Sequence, residues 1–187
     1  MEEPDWSVVS EEELWKFVGW HLANKGIQSI LVGGSVVSIY SRGAYRSGDL
    51  DMVEPLISRG KDIHDTMEGL GFRKFGRHYR HPKCDHLFVE FVSSPVSIGE
   101  DYRIKPKEVK VDGYILKILS PTDCIKDRLA SFFYFKSRDC LEQAVLVAKN
   151  QRYDISKVKE WCLNEPGAGE EGFREFKNAL NTSRDDA

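Results

Sequence analysis

The stretch that decides the fold runs from residue 30 to residue 53 and reads ILVGGSVVSIYSRGAYRSGDLDMV. It begins with a short apolar run, typical of a buried strand, which ends at Gly33 and Gly34. Ser35 can cap a short helix over residues 36–40. Glycine has no Cβ, so this turn can offer backbone N–H groups at a helix start to an anion such as phosphate.

The second half of the stretch predicts another strand, over residues 47–53. Its alternation places Asp49 and Asp51 on one face of the sheet and Leu50 and Met52 on the other. Two carboxylates on one face repel each other unless a cation lies between them. Mg²⁺ suits that position because it prefers oxygen ligands and leaves coordination sites for substrate phosphates.

A third carboxylate is predicted on a later strand, over residues 86–92, where Glu90 is the one acidic residue within an apolar run. An isolated charge in such a run needs a partner. Beside Asp49 and Asp51 it would complete a two-metal site for in-line phosphoryl transfer. Asp85 is the competing candidate, but it precedes the apolar run and is more typical of a turn.

The flanking segments complete the predicted architecture. Ser10 and Glu13 have the spacing of a capping box before an amphipathic helix, and residues 109–116 predict a hairpin around an Asp-Gly turn. We expect an α/β (α+β) fold: a small mixed sheet flanked by helices over residues 1–118. Helical patterns then predict a C-terminal helical region, residues 119–187, packed on this core.

The composition excludes several classes of protein. The chain has 187 residues, 41% of them hydrophobic, which is enough for one folded core. A formal net charge of -3 argues against broad, non-specific coating of nucleic acid. No apolar run is long enough to span a membrane, and the acidic amino end is unlike a signal peptide. We therefore expect a cytoplasmic protein without a membrane partner, in which the four cysteines form no disulfide framework.

The segment of residues 78–86 contains three histidines and one cysteine. A zinc site is conceivable there, but the spacings match no familiar zinc module and Pro82 interrupts the run. An exposed hairpin or loop that lines a substrate cleft is the favoured interpretation. Basic residues in and just before this segment are compatible with RNA contact and equally with a solvated strand face: Arg73, Lys74, Arg77 and Arg80.

The order of these motifs resembles a known signature. Residues 33–35, Gly-Gly-Ser, followed by residues 49–51, Asp-Leu-Asp, are similar to the signature of the DNA polymerase β-like nucleotidyltransferase superfamily. The closer likeness is to its small prokaryotic members, the minimal nucleotidyltransferases and the abortive-infection type toxins. Residues 121–148 also resemble the helical segment that follows the catalytic sheet in those proteins, so the likeness covers about residues 30–148.

The resemblance implies a role for each matching residue. Asp49 and Asp51 would ligate Mg²⁺, and Glu90 would be a third metal ligand that assists deprotonation of the acceptor hydroxyl. The residues that would hold the nucleotide triphosphate are Gly33, Gly34, Ser35 and Lys126. Many members of the superfamily carry a serine directly before the first aspartate; here Gly48 takes that position and Ser47 is displaced by one residue.

These features together predict an Mg²⁺-dependent nucleotidyltransferase. It would transfer a nucleoside monophosphate from an NTP to a hydroxyl acceptor, either a protein, an RNA such as tRNA, or a small molecule. Two alternatives remain open on the same fold: a non-catalytic nucleotide- or partner-binding module, and a component of a toxin–antitoxin pair. The retention of both Asp49 and Asp51 argues against a non-catalytic module, which does not need two mutually repelling carboxylates.

Overall fold

A computed structural model describes residues 1–54, 60–94 and 96–185 of the chain. The elements are α1 Glu11–Asn24, β1 Ile30–Val32, α2 Gly34–Tyr40, β2 Asp49–Val53, α3 Gly60–Gly69, β3 Arg73–Phe75, β4 His78–Arg80, β5 Phe88–Val92, β6 Lys107–Val111, β7 Tyr114–Ile118, α4 Pro121–Phe135, α5 Arg138–Asn150, α6 Ile155–Asn164 and α7 Gly169–Asp185. Within these ranges, no helix combines the length and the apolar character that crossing a membrane requires.

The strands form a mixed sheet, in which the described residues contribute seven strands in the order β3-β4-β5-β2-β1-β7-β6. At its centre, β1 is antiparallel to β2, and β2 is parallel to β5. Antiparallel hairpins, β3–β4 and β6–β7, form the two edges. The predicted α/β class, a mixed sheet flanked by helices, is confirmed.

Two local signals in the sequence are confirmed in detail. The Ser10 side chain accepts a hydrogen bond from the Glu13 N–H at 3.3 Å, and the Glu13 carboxylate accepts one from the Ser10 N–H at 2.9 Å. This capping box begins α1. In the β6–β7 hairpin, Asp112 and Gly113 both have positive φ, as a two-residue type I′ turn requires.

The predicted cap of α2 is wrong. The helix begins at Gly34 with Gly33 in the N-cap position and no side-chain cap. Ser35 lies in the first turn, and its hydroxyl donates to the Val32 carbonyl at 3.3 Å. The physical reason is the backbone of Gly33, whose φ of 74° and ψ of -154° turn the chain into the helix two residues before the predicted start.

The core lies mainly on one face of the central strands. Leu50 and Met52 of β2 and Val89 of β5 are completely buried in one continuous apolar cluster. The helix α1 packs against β7 and β2, while α2 packs against β1, β2 and α5. The alternation of β2 therefore buries its apolar side chains on one face and leaves Asp49 and Asp51 on the other.

The last third of the chain is helical, as expected. Ser120 caps α4 by accepting a hydrogen bond from the Asp123 N–H, and Pro121 occupies the first helical position. The helices α4 and α5 pack on each other, and α7 packs on both α5 and α6. All four cysteines are free. The sheet ends at Ile118, next to the proposed boundary at residues 118 and 119; the division into two domains there stays a prediction.

Candidate active site

Three carboxylates lie on neighbouring strands of the sheet. Asp49 and Asp51 share one face of β2, and β5 runs parallel to β2 with Glu90 directly opposite Asp51. Glu90 is buried, whereas the two aspartates are partly exposed. The structure therefore brings together the three acidic residues that the sequence analysis selected, and it leaves the competing Asp85 fully exposed outside the strand.

The carboxylate of Asp51 is in an unfavourable electrostatic environment. Its pKa is raised to about 6, first by burial and then by the negative charges of Asp49 and Glu90. The Arg128 guanidinium, on α4, opposes part of that rise. A cation bound at these carboxylates would stabilise the ionised form of Asp51 and relieve the repulsion.

The diglycine turn lies directly against the carboxylates. A Cβ atom on Gly33 would come within 2.6 Å of the Asp51 Oδ2 atom, and one on Gly34 would come within 2.9 Å of the Ser47 Oγ atom. Real Cβ atoms do not approach other atoms so closely, so both positions require glycine or a shift of their neighbours. The close approach places the backbone at the start of α2 next to Asp51.

Ser47 is a site residue that the sequence analysis set aside. Its hydroxyl donates to the Asp49 Oδ1 atom at 2.7 Å, although it is two residues away rather than adjacent. Its N–H donates to the Glu11 Oε1 atom at 2.9 Å, and Arg46 pairs with the same oxygen at 3.3 Å. Because Glu11 is buried at the start of α1, it fixes the loop that carries Ser47. The available signal was a serine two residues before Asp49, the first residue of β2.

Glu90 has two basic neighbours that sequence reasoning also missed. The Arg77 Nε atom lies 2.9 Å from the Glu90 Oε1 atom, and the His78 Nδ1 atom lies 3.1 Å from the Oε2 atom. The contact with His78 is close but is not aligned as a hydrogen bond. Both neighbours come from the β3–β4 hairpin, which the antiparallel pairing of β4 with β5 places beside Glu90.

Lys126, the predicted phosphate-binding lysine, lies in a different environment. Its Nζ atom is 3.3 Å from the Asp123 Oδ1 atom, and the side chain lines a cavity of about 640 Å³ together with Asp101 and Trp161. The cation of α4 that acts on Asp51 is Arg128, which pairs with its neighbour Asp127 at 2.6 Å. Two residues apart on a helix, Lys126 and Arg128 point in different directions.

Mg²⁺ was expected at the carboxylates, and the donor chemistry fits it. Asp49 and Asp51 offer the oxygen ligands that Mg²⁺ prefers, and the raised pKa of Asp51 reflects its burial beside two further carboxylates. In the described parts of the chain, no three Asp, Glu, His or Cys side chains are already arranged as a metal-binding group. Glu90 is directed at Arg77 and His78, so it would have to exchange those partners to become a third ligand.

The histidines and the cysteine of residues 78–86 have separate partners. His81 stacks on Trp6 with 3.7 Å between the ring centroids, and the His86 Nε2 atom lies 2.9 Å from the Val9 carbonyl oxygen. Cys84 is buried, and its sulfur contacts His86 at 3.7 Å. These contacts attach the segment to the amino-terminal residues, and they fit a structural role rather than a zinc site.

Comparisons with known proteins support the fold. No protein-family model matches the chain, and no curated protein matches it. Among solved structures, an antigenic nucleotidyltransferase-like protein from Paracoccidioides brasiliensis superposes with a TM-score of 0.64 at 15% identity, covering 95% of this chain and 89% of that one.

The antibiotic-resistance factor ANT(2″)-Ia is similar in two structures. Its solution structure gives a TM-score of 0.56 at 14% identity, covering 95% of this chain and 97% of that one. Its crystal structure with adenylyl-2″-tobramycin gives 0.51 at 14% identity, covering 93% and 98%. The chain therefore has a nucleotidyltransferase fold, which confirms the predicted superfamily resemblance at the level of the fold. The narrower likeness to minimal and abortive-infection type members stays a prediction.

Proposed function

We propose that this protein is an Mg²⁺-dependent nucleotidyltransferase that moves a nucleoside monophosphate from an NTP to a hydroxyl acceptor. The observation that carries the proposal is the close approach of the Gly33 backbone to Asp51. It joins a turn suited to phosphate with two carboxylates suited to a metal ion, within one nucleotidyltransferase fold. Proteins, RNA and small molecules are all candidate acceptors.

Each site residue has a role in this proposal. Gly33 and Gly34, with the N–H of Ser35, would face the triphosphate, and Asp49 and Asp51 would hold Mg²⁺. When bound, the metal supplies positive charge that neutralises the phosphates and activates the α-phosphorus. Ser47 orients Asp49 through its 2.7 Å hydrogen bond.

The transfer balances as an in-line displacement. The acceptor oxygen forms a bond to the α-phosphorus, the bond from that phosphorus to the bridging oxygen of the β-phosphate breaks, and pyrophosphate leaves. Glu90 accepts the proton of the acceptor hydroxyl. Arg128 offsets negative charge near Asp51. Lys126, on the same helix, neutralises charge on the triphosphate.

One observation favours a second function, a non-catalytic nucleotide- or partner-binding module. Both carboxylate oxygens of Glu90 already have close neighbours, Arg77 and His78, which a metal ion or an acceptor hydroxyl would have to displace. Such a module would still bind an NTP at Asp49 and Asp51 but would not release pyrophosphate.

Binding and turnover distinguish these functions. Isothermal titration calorimetry would measure binding of ATP, GTP, CTP and UTP, each with Mg²⁺, to the wild type and to Asp49→Ala/Asp51→Ala. The control variant Asp65→Ala/Asp85→Ala removes the same charge from exposed positions. We expect the wild type and the control to bind at least one NTP in an Mg²⁺-dependent way. Asp49→Ala/Asp51→Ala should bind none.

Each outcome has a definite meaning. Binding that survives in Asp49→Ala/Asp51→Ala, or a wild type that binds no NTP, would contradict the proposed site. Binding without release of pyrophosphate in the presence of candidate acceptors would favour the non-catalytic module. A role in a toxin–antitoxin pair and a cytoplasmic location stay predictions.

A further inference from the structure

The face that carries the carboxylates continues across the sheet to its β3 edge. Asp51 lies opposite Glu90 on β5, Glu90 lies opposite His78 on β4, and His78 lies opposite Phe75 on β3. Residues that are paired across neighbouring strands share a face of the sheet. One continuous surface therefore connects the carboxylates to the exposed edge of the molecule.

The outer part of this face is basic. Arg73 and Arg80 lie directly opposite each other on β3 and β4, and both are exposed. Within the described residues, neither has a carboxylate at ion-pair distance, whereas Arg77 pairs with Glu90. Like charges directly opposite each other destabilise a sheet. Because neither arginine has an anionic partner among the described residues, an anion bound between them would relieve their repulsion.

Aromatic rings alternate with these charges. Phe75 is 57% exposed, and the Arg80 guanidinium lies over the Phe88 ring at 5.3 Å from its centroid. We call this surface the basic strip, and it consists of Arg73, Phe75, His78, Arg80 and Phe88. Grooves that bind single-stranded nucleic acid combine these two features: cations along the backbone and aromatic rings on which bases stack.

We infer that the basic strip binds a single-stranded polynucleotide and leads its terminal hydroxyl to the carboxylates. The role of that hydroxyl as acceptor rests on the proposed nucleotidyltransferase function; binding to the strip does not. An acidic peptide segment without aromatic residues would match the arginines but would leave the exposed Phe75 ring without a stacking partner, whereas every nucleotide brings both a phosphate and a base. In the transfer, the terminal hydroxyl oxygen bonds to the α-phosphorus of the NTP, pyrophosphate leaves, and the proton passes to Glu90.

The test is fluorescence anisotropy with labelled ten-nucleotide single strands, one of RNA and one of DNA, at several salt concentrations. The variants are Arg73→Glu/Arg80→Glu, which reverses the charge of the strip, and Phe75→Ala, which removes the exposed ring. The control Lys110→Glu/Arg152→Glu makes the same charge change at exposed positions outside the strip. Circular dichroism would check that each variant is folded.

The wild type is expected to bind at least one of the two oligonucleotides. Comparison of its affinities for RNA and DNA then shows whether ribose or deoxyribose is preferred. Arg73→Glu/Arg80→Glu should weaken binding by more than about tenfold and should reduce the slope of log K against log salt by about two. Phe75→Ala should weaken binding by about fivefold or more, with little change in the slope.

Other results would overturn the inference. They are a wild type that binds neither strand, a charge-reversal variant within twofold of the wild type, and an equal loss in the control variant. Because NTP binding is measured separately, a protein that binds Mg²⁺-NTP but no polynucleotide would overturn this inference alone. Polynucleotide binding without NTP binding would overturn the proposed function and the acceptor role but would leave the strip's binding intact.

Discussion

The two faces of the central strands β2 and β5 differ in what they do for the protein. On one face, Leu50, Met52 and Val89 are completely buried in the core. On the other, the pKa of Asp51 is raised, first by its burial and then by the negative charges of Asp49 and Glu90. The same backbone thus supports one face that stabilises the fold and one whose charges oppose it. The second face is where a functional site is expected.

The largest effect is expected on the apolar face. Leu50→Ala should lower the free energy of unfolding by about 3 kcal/mol, because it removes a fully buried side chain and leaves a cavity. Urea denaturation would measure the change. The neighbouring Asp49→Ala, on the other face, is the control and should lower the free energy of unfolding by no more than about 1 kcal/mol. Equal losses in the two variants would contradict the division between faces.

The next effect is expected at the turn that contacts the carboxylates. Gly33→Ala should lower NTP affinity at least tenfold and stability by about 2 kcal/mol, because its Cβ would lie within 2.6 Å of the Asp51 Oδ2 atom. Gly26→Ala is a matched control: Gly26 also has a positive φ, 77°, but a Cβ there meets nothing within 4 Å.

Gly26→Ala should therefore lower the free energy of unfolding by only about 1 kcal/mol, the cost of a positive φ in alanine. It should leave NTP affinity unchanged. Calorimetric titration and thermal melting would measure both quantities. If the two alanine variants behave alike, the contact with Asp51 has no role beyond backbone strain.

A smaller effect follows from the ionisation of Asp51. Its pKa is about 6 in the folded protein, above the ordinary value of 3.8, so folding favours its protonated form. Its contribution to stability is therefore greatest below about pH 4 and is lost as the pH rises to about 6. Partial exposure limits the loss to about 1–2 kcal/mol.

The variant Asp51→Asn isolates this contribution in the presence of a chelator. It should be more stable than the wild type by about 1–2 kcal/mol at pH 7 and no more stable at pH 4. Asp85→Asn, at a fully exposed position, should have no such pH-dependent gain. A constant difference between Asp51→Asn and the wild type across this pH range would contradict the electrostatic explanation.

The smallest effect is expected at Ser47. Ser47→Ala should weaken Mg²⁺-NTP binding by about fivefold or less, because it removes one hydrogen bond that orients Asp49. Ser7→Ala is a close control, since the Ser7 hydroxyl also donates to an aspartate two residues away at 2.7 Å, but at an exposed site remote in sequence. Calorimetric titration of both variants would separate orientation of Asp49 from a general effect of the substitution.

The parts of the fold that were predictable from the sequence depend on short-range signals. The capping box of Ser10 and Glu13 and the turn at Asp112 and Gly113 are each encoded within four residues. The alternation that separates the two aspartates from their apolar neighbours also spans only a few residues. In each case the local chemistry allows one main conformation.

The parts that were not predictable depend on the order and register of the strands. Nothing local pairs Glu11 with the N–H of Ser47, which lies 36 residues away. Arg77 and His78 reach Glu90 only because β4 pairs with β5. The helix α2 was predicted, but its cap was not: the conformation of Gly33 moves the helix start ahead of Ser35, which a capping pattern alone does not reveal.

A thermal melt tests whether the carboxylates of β2 oppose folding and bind the ligand. It compares the wild type with Asp49→Asn/Asp51→Asn at pH 7.5, with and without Mg²⁺ and the preferred NTP. Without ligand, we expect a higher melting temperature for the double variant, because the partly buried charge of Asp51 and its repulsion by Asp49 and Glu90 are removed. With ligand, only the wild type should gain stability. A double variant that melts lower than the wild type without ligand would show that the carboxylates do not oppose folding, and one that gains as much from Mg²⁺-NTP would show that they do not bind the ligand.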